Sequence, residues 1–374
     1  MASAIAKIKR NDGINLFFMF CSLYQVDQIY IHSPDSKTRT MKLSVFALFI
    51  LMLAVQPASP QQTRTITPDE LKTWVYYLAS DEMKGRRNGS PEMLQAAQYI
   101  SDVFRGAGLR PAVGDTSFFQ EYSVKDRNNV TIHERNVVGI LEGTDPVLKN
   151  EWILVSAHFD HVGIRQPVDG DSIYNGADDN ATGTATVMAL ARLLTQPENR
   201  PQRSVLFAAW SGEESGMNGS RWFLGHPVIP IEQLKLNLNF EMTGEFKTLG
   251  DHLFIITGYL FTDFDDLVGK YTPADPWKVA TQMQTPPGVF FASDNATFAF
   301  KRNGDKTELN IPAFTLVTTD DMNLIHKPSD EPEKMDYVNM ASFVNYAAGL
   351  ITWLAAGELK ISWDRGAFEE FLKK

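Results

Sequence analysis

Residues 174–185, YNGADDNATGTA, set Asp178 and Asp179 side by side among small and polar residues, with no lysine or arginine in the stretch. Adjacent carboxylates repel unless a cation or a proton neutralises them. Further metal-ligating and proton-transferring groups recur along the chain, in His158-Phe159-Asp160-His161, in Ser211-Gly212-Glu213-Glu214, and at Glu241 and His326. Imidazoles and carboxylates in that mixture suit divalent transition metals, and two ions ~3.5–4 Å apart need a carboxylate to bridge them. Asp178 as that bridge resolves the repulsion. Such a centre lowers the pKa of a shared water towards ~7. A carboxylate beside it must take the water's proton and pass it to a leaving amine. One of the adjacent glutamates, Glu213 or Glu214, can do this while the other binds metal.

Each of these residues has an ordinary explanation when taken alone. Asp178-Asp179 ahead of a helix would serve as a cap and complement the helix dipole. His158 and His326 would be loop histidines, Glu213-Glu214 a solvated turn, and Glu241 a partner for Lys247. What separates the metal reading from these is position relative to the elements that carry the residues.

Apolar runs of strand length alternate with helical stretches. NVVGIL (136–141), WILVSA (152–157), SVLFAAW (204–210), LKLNLNF (234–240) and AFTLV (313–317) read as strands. Thr67-Pro68-Asp69-Glu70 reads as a helix start, Pro91–Ala107 as a second helix, and Thr184–Leu194 and Tyr337–Ala355 as the clearest later ones. The alternation predicts an α/β fold with a mostly parallel central sheet covered by helices on both faces. Residues 272–312, rich in proline and glycine, read as long loops. In open α/β sheets ligands bind outside the carboxyl ends of the strands. His158 and Asp160 follow the second strand, Glu213-Glu214 the third, Glu241 the fourth, and His326 comes after the last. Ordinary explanations for all of them would have to coincide at one rim of one sheet.

Composition narrows the class. The net charge of −10 argues against a nucleic-acid partner. Cys21 is the only cysteine, which excludes an intramolecular disulfide, thiolate zinc sites and iron–sulfur clusters. From Met41, MKLSVFALFILMLAVQPASPQQ has a lysine, the apolar run Leu43–Val55, then small residues and prolines. That is signal-peptide grammar, and the run is shorter than the ~20 residues of a membrane span. The reading is a signal segment over 41–60, an export address, translation beginning at Met41 and an upstream extension over 1–40. INLFFMFCSLY (14–24) is the alternative, a first apolar segment giving a tethered form. The catalytic domain is expected over 67–374. Asn88, Asn129, Asn180, Asn218 and Asn295 open Asn-x-Ser/Thr patterns that chance explains as well as glycosylation does.

AHFDHVG (157–163), NGADDNATG (175–183), SGEESGMNGS (211–220), NFEMTG (239–244) and the late His326 resemble, in order, the co-catalytic zinc exopeptidases of peptidase family M28, which include leucyl aminopeptidases, glutamate carboxypeptidases and glutaminyl cyclases. The resemblance runs from about Thr67 to the C-terminus and implies two zinc ions on a zinc-exopeptidase (phosphorylase/hydrolase-like) architecture. It assigns His158 and Glu241 to the first zinc, with Asp160 orienting His158. Asp178 becomes the bridge, followed by a cis peptide to a structural Asp179. Glu213 becomes the general base and acid, and Glu214 and His326 hold the second zinc. Two positions depart from the pattern: Glu241 stands where the family more commonly has Asp, and Ser293-Asp294-Asn295 where many relatives have Ser-Asp-His. His161 receives no role beyond an exposed or supporting histidine.

The resemblance implies an exported aminopeptidase acting on peptides. Glutaminyl cyclisation with a single zinc, carboxypeptidase activity and a non-catalytic binding ectodomain are the alternatives. The retained ligand set and base argue against the last, and no basic cluster for a substrate carboxylate is evident in the sequence.

Overall fold

Helix α1 (Pro68–Leu78) begins where the threonine, proline and acids at 67–70 place it. In a computed structural model, which describes residues 64–126, 128–280, 287–303 and 306–373, the capping is reciprocal. Thr67 Oγ1 accepts from the Glu70 N–H at 3.3 Å, and the Glu70 carboxylate accepts from the Thr67 N–H at 3.1 Å. Helix α2 (Pro91–Ala107) starts on Ser90, whose hydroxyl accepts from the Met93 N–H, and ends at left-handed Gly108. The upstream extension, the signal segment, residues 14–24 and Cys21 lie outside the described residues. No described helix is long and apolar enough to cross a membrane.

Six strands follow: β1 (Arg110–Pro111), β2 (Phe119–Lys125), β3 (Thr131–Leu141), β4 (Trp152–His158), β5 (Gly163–Val168) and β6 (Asp171–Tyr174). Then come α3 (Gly183–Leu194), β7 (Ser204–Trp210), α4 (Asn218–Gly225), β8 (Leu234–Phe240), β9 (Leu253–Ile256) and α5 (Phe264–Val268). The last elements are β10 (Lys278–Val279), α6 (Asn295–Ala299), β11 (Phe300–Asn303), β12 (Lys306–Leu309), β13 (Ala313–Val317), α7 (Tyr337–Ala356) and α8 (Arg365–Phe371).

The main sheet has nine strands in the order β1-β3-β7-β4-β8-β13-β9-β10, with β2 also paired to β3. Its centre, β7-β4-β8-β13, is parallel. These strands lie between helical layers, so β7 is buried at every position and reads as an unbroken apolar run. The flanks are antiparallel: β3 runs against β7 and β2, and β9 against β13. The run 136–141 is therefore the end of a longer antiparallel strand. The segment 272–312 is not all loop; it holds β10, α6 and the β11-β12 hairpin, elements too short to leave a periodic signature.

Side chains of opposite parity on a strand point to opposite faces. On β7, Phe207 packs edge-on against Phe104 of α2, with ring centroids 6.2 Å apart. Trp210 meets Phe223 of α4 at 5.2 Å and Phe298 of α6 at 6.0 Å. Helices thus cover both faces, and the four parallel strands are held as a rigid comb whose carboxyl ends open at one rim.

Candidate metal centre

The comb's exits carry the chemistry. His158 is the last residue of β4, Glu213-Glu214 follow β7, Glu241 follows β8, and His326 lies beyond β13. Between β6 and α3 the chain makes an irregular turn over Ala177–Thr182, with all six side chains buried. The turn brings Asp179 into the middle of the ligands.

Two groups of donor atoms result. His158, Asp179 and Glu241 form one, and His161, Asp179, Glu214 and His326 form the other, the atoms of each lying within 4.8 Å of one another. The two oxygens of Asp179 divide between them. Oδ1 lies 3.4 Å from His158 Nε2, while Oδ2 lies 3.5 Å from His326 Nε2 and 3.7 Å from His161 Nδ1. Glu241 Oε1 is 4.0 Å from His158 Nε2, and Glu214 lies 3.0 Å from His161 Nδ1 and 2.8 Å from His326 Nε2. With metal–ligand bonds of ~2.0–2.2 Å, ligand atoms around a tetrahedral ion stand roughly 3.3–3.6 Å apart. The donors are nitrogen and oxygen, and His158 Nε2, both His161 nitrogens and Glu241 Oε2 are buried without a hydrogen-bond partner. Buried polar atoms are ordinarily satisfied. The residues therefore fit divalent ions such as zinc, with one group on each side of Asp179.

Three expectations change at this point. Asp178 is not the bridge. Its Oδ1 accepts from the Gly244 N–H at 2.9 Å and the Thr182 hydroxyl at 3.1 Å, and it belongs to neither donor group. The cis peptide lies between Asp179 and Asn180, one residue later than expected. His161 is neither exposed nor idle, being 1% exposed and part of the second group.

His158, Glu241, Glu214 and His326 fall within the two groups, and Asp160 stands beside His158. His158 Nδ1 faces the Asp160 carbonyl at 3.2 Å and its carboxylate at 3.7 Å, which favours the proton on Nδ1 and frees Nε2 for metal. The same carboxylate accepts from the Glu213 and Glu214 N–H groups, each at 3.2 Å, and so ties the exit of β7 to that of β4. Glu241, longer than the usual Asp, still reaches the first group.

Support comes from residues to which the sequence assigned nothing. Asp330 accepts from the backbone N–H of Asp178 at 2.8 Å and of Asp179 at 3.0 Å, fixing the turn. Arg86, fully buried, donates to the carbonyls of Phe159, Asn175 and Gly176 at 2.8–2.9 Å and to that of Leu78, stitching the two ligand loops together. Gly176 has φ +61°, and a Cβ there would stand 2.4 Å from the Asp179 carbonyl and 2.5 Å from the His161 ring. Asn180 and Asn295 are buried at 0% exposure, which bars glycosylation of those two sequons in the folded chain. Phe290 and Phe298 are core residues.

The electrostatics follow from burial and pairing. For Asp179 and Glu214 burial alone would raise the pKa. The nearby imidazole of His158 in one case, and those of His161 and His326 in the other, outweigh it and hold both below the ordinary carboxylate range. Burial would lower His158, but its contacts with Asp160 and Asp179 push it well above the usual imidazole value. Glu213 lies in the opposite regime. Burial, with the charges of Glu241 and Asp294 outweighing that of His158, raises it well above the ordinary range. Burial likewise takes Glu241 and Asp294 to about 7. A crowd of carboxylates whose proton affinities diverge this far is a functional-site signature.

Fold and donor set together define an α/β protein with an imidazole–carboxylate cluster at the carboxyl rim of its parallel strands. The model of peptidase family M28 matches residues 136–351, more than half of the chain, and the chain belongs to that family. Leucine aminopeptidase 1 of Trichophyton equinum is 26% identical over 245 residues, covering 62% of this chain and 60% of that protein. A vacuolar membrane protease of Sclerotinia sclerotiorum is 37% identical over 97 residues, covering 26% of this chain and 8% of its own length. The chain thus spans less than two thirds of either relative. The uncharacterised protein YfbL of Escherichia coli is 25% identical over 352 residues, 84% of this chain and 99% of that one. Among solved structures, BSAP, a zinc aminopeptidase from Bacillus subtilis, superposes with a TM-score of 0.58 at 13% identity, covering 80% of this chain and 98% of that one. A glutaminyl cyclase from Bacteroides thetaiotaomicron gives 0.57 at 14%, covering 78% and 99%. At these identities the two structures share the fold.

Proposed function

We propose that the chain is an exported zinc-dependent exopeptidase, an aminopeptidase that removes N-terminal residues from peptides. The observation that carries this reading is the division of Asp179, one oxygen toward His158 and Glu241 and the other toward His161, Glu214 and His326. That arrangement suits two ions sharing one carboxylate. The names of the Trichophyton and Bacillus relatives support the aminopeptidase class.

Bound at these groups, zinc would supply a Lewis acid and a water of lowered pKa. The chain's own residues do the rest. His158 is held by Asp160 with Nε2 free, and Asp179 is held by Asp330 through the backbone. Glu213 belongs to neither ligand group and directly precedes Glu214 at the exit of β7, a position that suits its carboxylate to take the attacking water's proton and deliver it to the departing amine. Exchange for Gln removes that function while leaving the ligands in place. Glu213→Gln should keep its zinc and lose about 10²–10⁴-fold in turnover of a free-N-terminus peptide. Undiminished turnover would refute the assignment.

The glutaminyl cyclase structure keeps cyclisation as the second reading. The second group, with two imidazoles and Glu214 beside Asp179, favours two ions over one. An assay on N-terminal Gln peptides separates the readings, with release of free amino acid expected and cyclisation alone contradicting it. Export rests on the signal-like segment 41–60; N-terminal sequencing of the exported protein tests the start at Met41, and a mature terminus before Met41 would overturn that start.

A further inference from the structure

Beside the second donor group lies a cavity of about 450 Å³, whose lining includes His161 and Glu214 together with Arg87, Lys125 and Arg165. The volume is within the range of small-ligand sites. Arg105, Arg110, Arg135, Arg192 and Arg203 each pair with a carboxylate. Arg87, Lys125 and Arg165 make no ion pair or side-chain hydrogen bond among the described residues.

The acids in the wall do not answer them. Asp126 Oδ1 is taken by the Asn128 and Val130 N–H groups at 2.9 and 2.8 Å. Glu134 is 2% exposed, accepts from the Tyr122 hydroxyl, and has its pKa raised by burial to about 7. Glu214 is engaged by His161 and His326. In a protein of net charge −10, three unanswered cations thus converge on one cavity that opens onto the ligand rim.

The backbone fixes where these cations stand. Arg87 bridges to His161 strand-fashion, and its side chain lies across Gly163, where a Cβ would fall 2.7 Å from Arg87 Cβ. Arg165 stands two residues further along, on β5. Both are tied to the segment that delivers His161. Arginine presents a planar fork that matches a carboxylate with two parallel hydrogen bonds.

We infer that this cavity receives the free carboxylate of the residue being left behind, so that the enzyme's substrates are dipeptides and similarly short peptides with an unblocked C-terminus. Arg87 and Arg165 clamp that carboxylate, and Lys125 adds charge at the rim. The inference rests on the aminopeptidase reading and names its substrate class. It also supplies the basic cluster that could not be located in the sequence, because its members are scattered over 87, 125 and 165.

The test uses the zinc-loaded full chain and three substrates: Leu-Leu, Leu-Leu-amide and Leu-Glu-amide. Leu-Leu should be favoured over Leu-Leu-amide by about 10- to 100-fold in kcat/KM, the scale of a charge-assisted hydrogen-bonded pair. In Arg87→Ala/Arg165→Ala the acid-to-amide ratio should fall towards one. Arg165→Gln alone should give an intermediate ratio, and circular dichroism checks the fold of each variant. Calorimetry with zinc-loaded Glu213→Gln protein reads the same preference as binding, independent of turnover. Equal handling of acid and amide by the unaltered arginines, or a ratio unmoved in the double variant, would overturn the inference. Leu-Glu-amide matching Leu-Leu would assign the cavity to an acidic side chain and overturn the C-terminal assignment. Turnover of none of the three, with the binding preference intact, would count against the aminopeptidase reading and in favour of the carboxylate clamp.

Discussion

Replacing Asp179 by Asn and, separately, Asp178 by Asn distinguishes two neighbouring carboxylates with opposite roles. Asp179 offers one oxygen to each donor group, 3.4 Å from His158 Nε2 on one side and 3.5 Å from His326 Nε2 on the other. An amide there leaves a single acceptor for two groups and turns an N–H₂ toward one of them. Disturbing a residue that merely supports a ligand costs about 10–100-fold in metal affinity. Losing the ligand common to both groups should cost at least about 100-fold at each, about 2.8 kcal/mol per ion. Asp178 is different. Burial and the charge of Asp330 raise its pKa well above the ordinary range, its Oδ1 accepts two hydrogen bonds, and its buried Oδ2 accepts none. A neutral Asn keeps the accepting oxygen, so Asp178→Asn should change stability by about 1 kcal/mol or less and leave metal binding intact. Calorimetric titration of zinc into chelator-treated protein, with a thermal unfolding curve for each variant, reads both quantities. Wild-type zinc affinity in Asp179→Asn beside lost zinc in Asp178→Asn would refute the reasoning.

Three further outcomes follow from the same geometry. His161→Ala removes one of the second group's two imidazoles and should weaken the second zinc at least about 10-fold while sparing the first, as read by competition with a chromogenic chelator; equal loss of both would count against it. Gly176→Ala puts a Cβ 2.4 Å from the Asp179 carbonyl at φ +61°, so it should cost at least about 1–3 kcal/mol and lower the zinc content; an unshifted melting temperature would contradict this. Glu134, near 4.5 when unfolded and raised to about 7 by burial in the fold, binds more protons folded than unfolded between those values. Its contribution is therefore present below about pH 4.5 and is lost as pH rises towards 7, by up to about 3 kcal/mol. Glu134→Gln should remove that part of the stability–pH slope, and an unchanged slope would show that another group carries it.

The strand exits were legible because parallel strands buried on both faces announce themselves as apolar runs, and whatever follows them must lie at one rim. The choice between Asp178 and Asp179 was not. In an irregular turn no period says which of two neighbours faces inward, and the decision comes from Asp330 and Gly244, both remote in sequence. The place of His161 in the second group was hidden for a related reason, since its approach to Asp179 depends on the bend after β4 and on the room left by Gly176. Its signal was a second imidazole three positions after the first, with no other task. The antiparallel flanks were hidden because β9 and β10 are short, and β2 alternates without a continuous apolar run.

Anomalous diffraction at the zinc edge, from crystals of zinc-loaded protein, tests the central claim most directly. Two peaks are predicted, about 3.5–4 Å apart, one between His158 and Glu241 and the other among His161, Glu214 and His326, with Asp179 between them. A single peak, or a pair bridged by Asp178, would contradict the account.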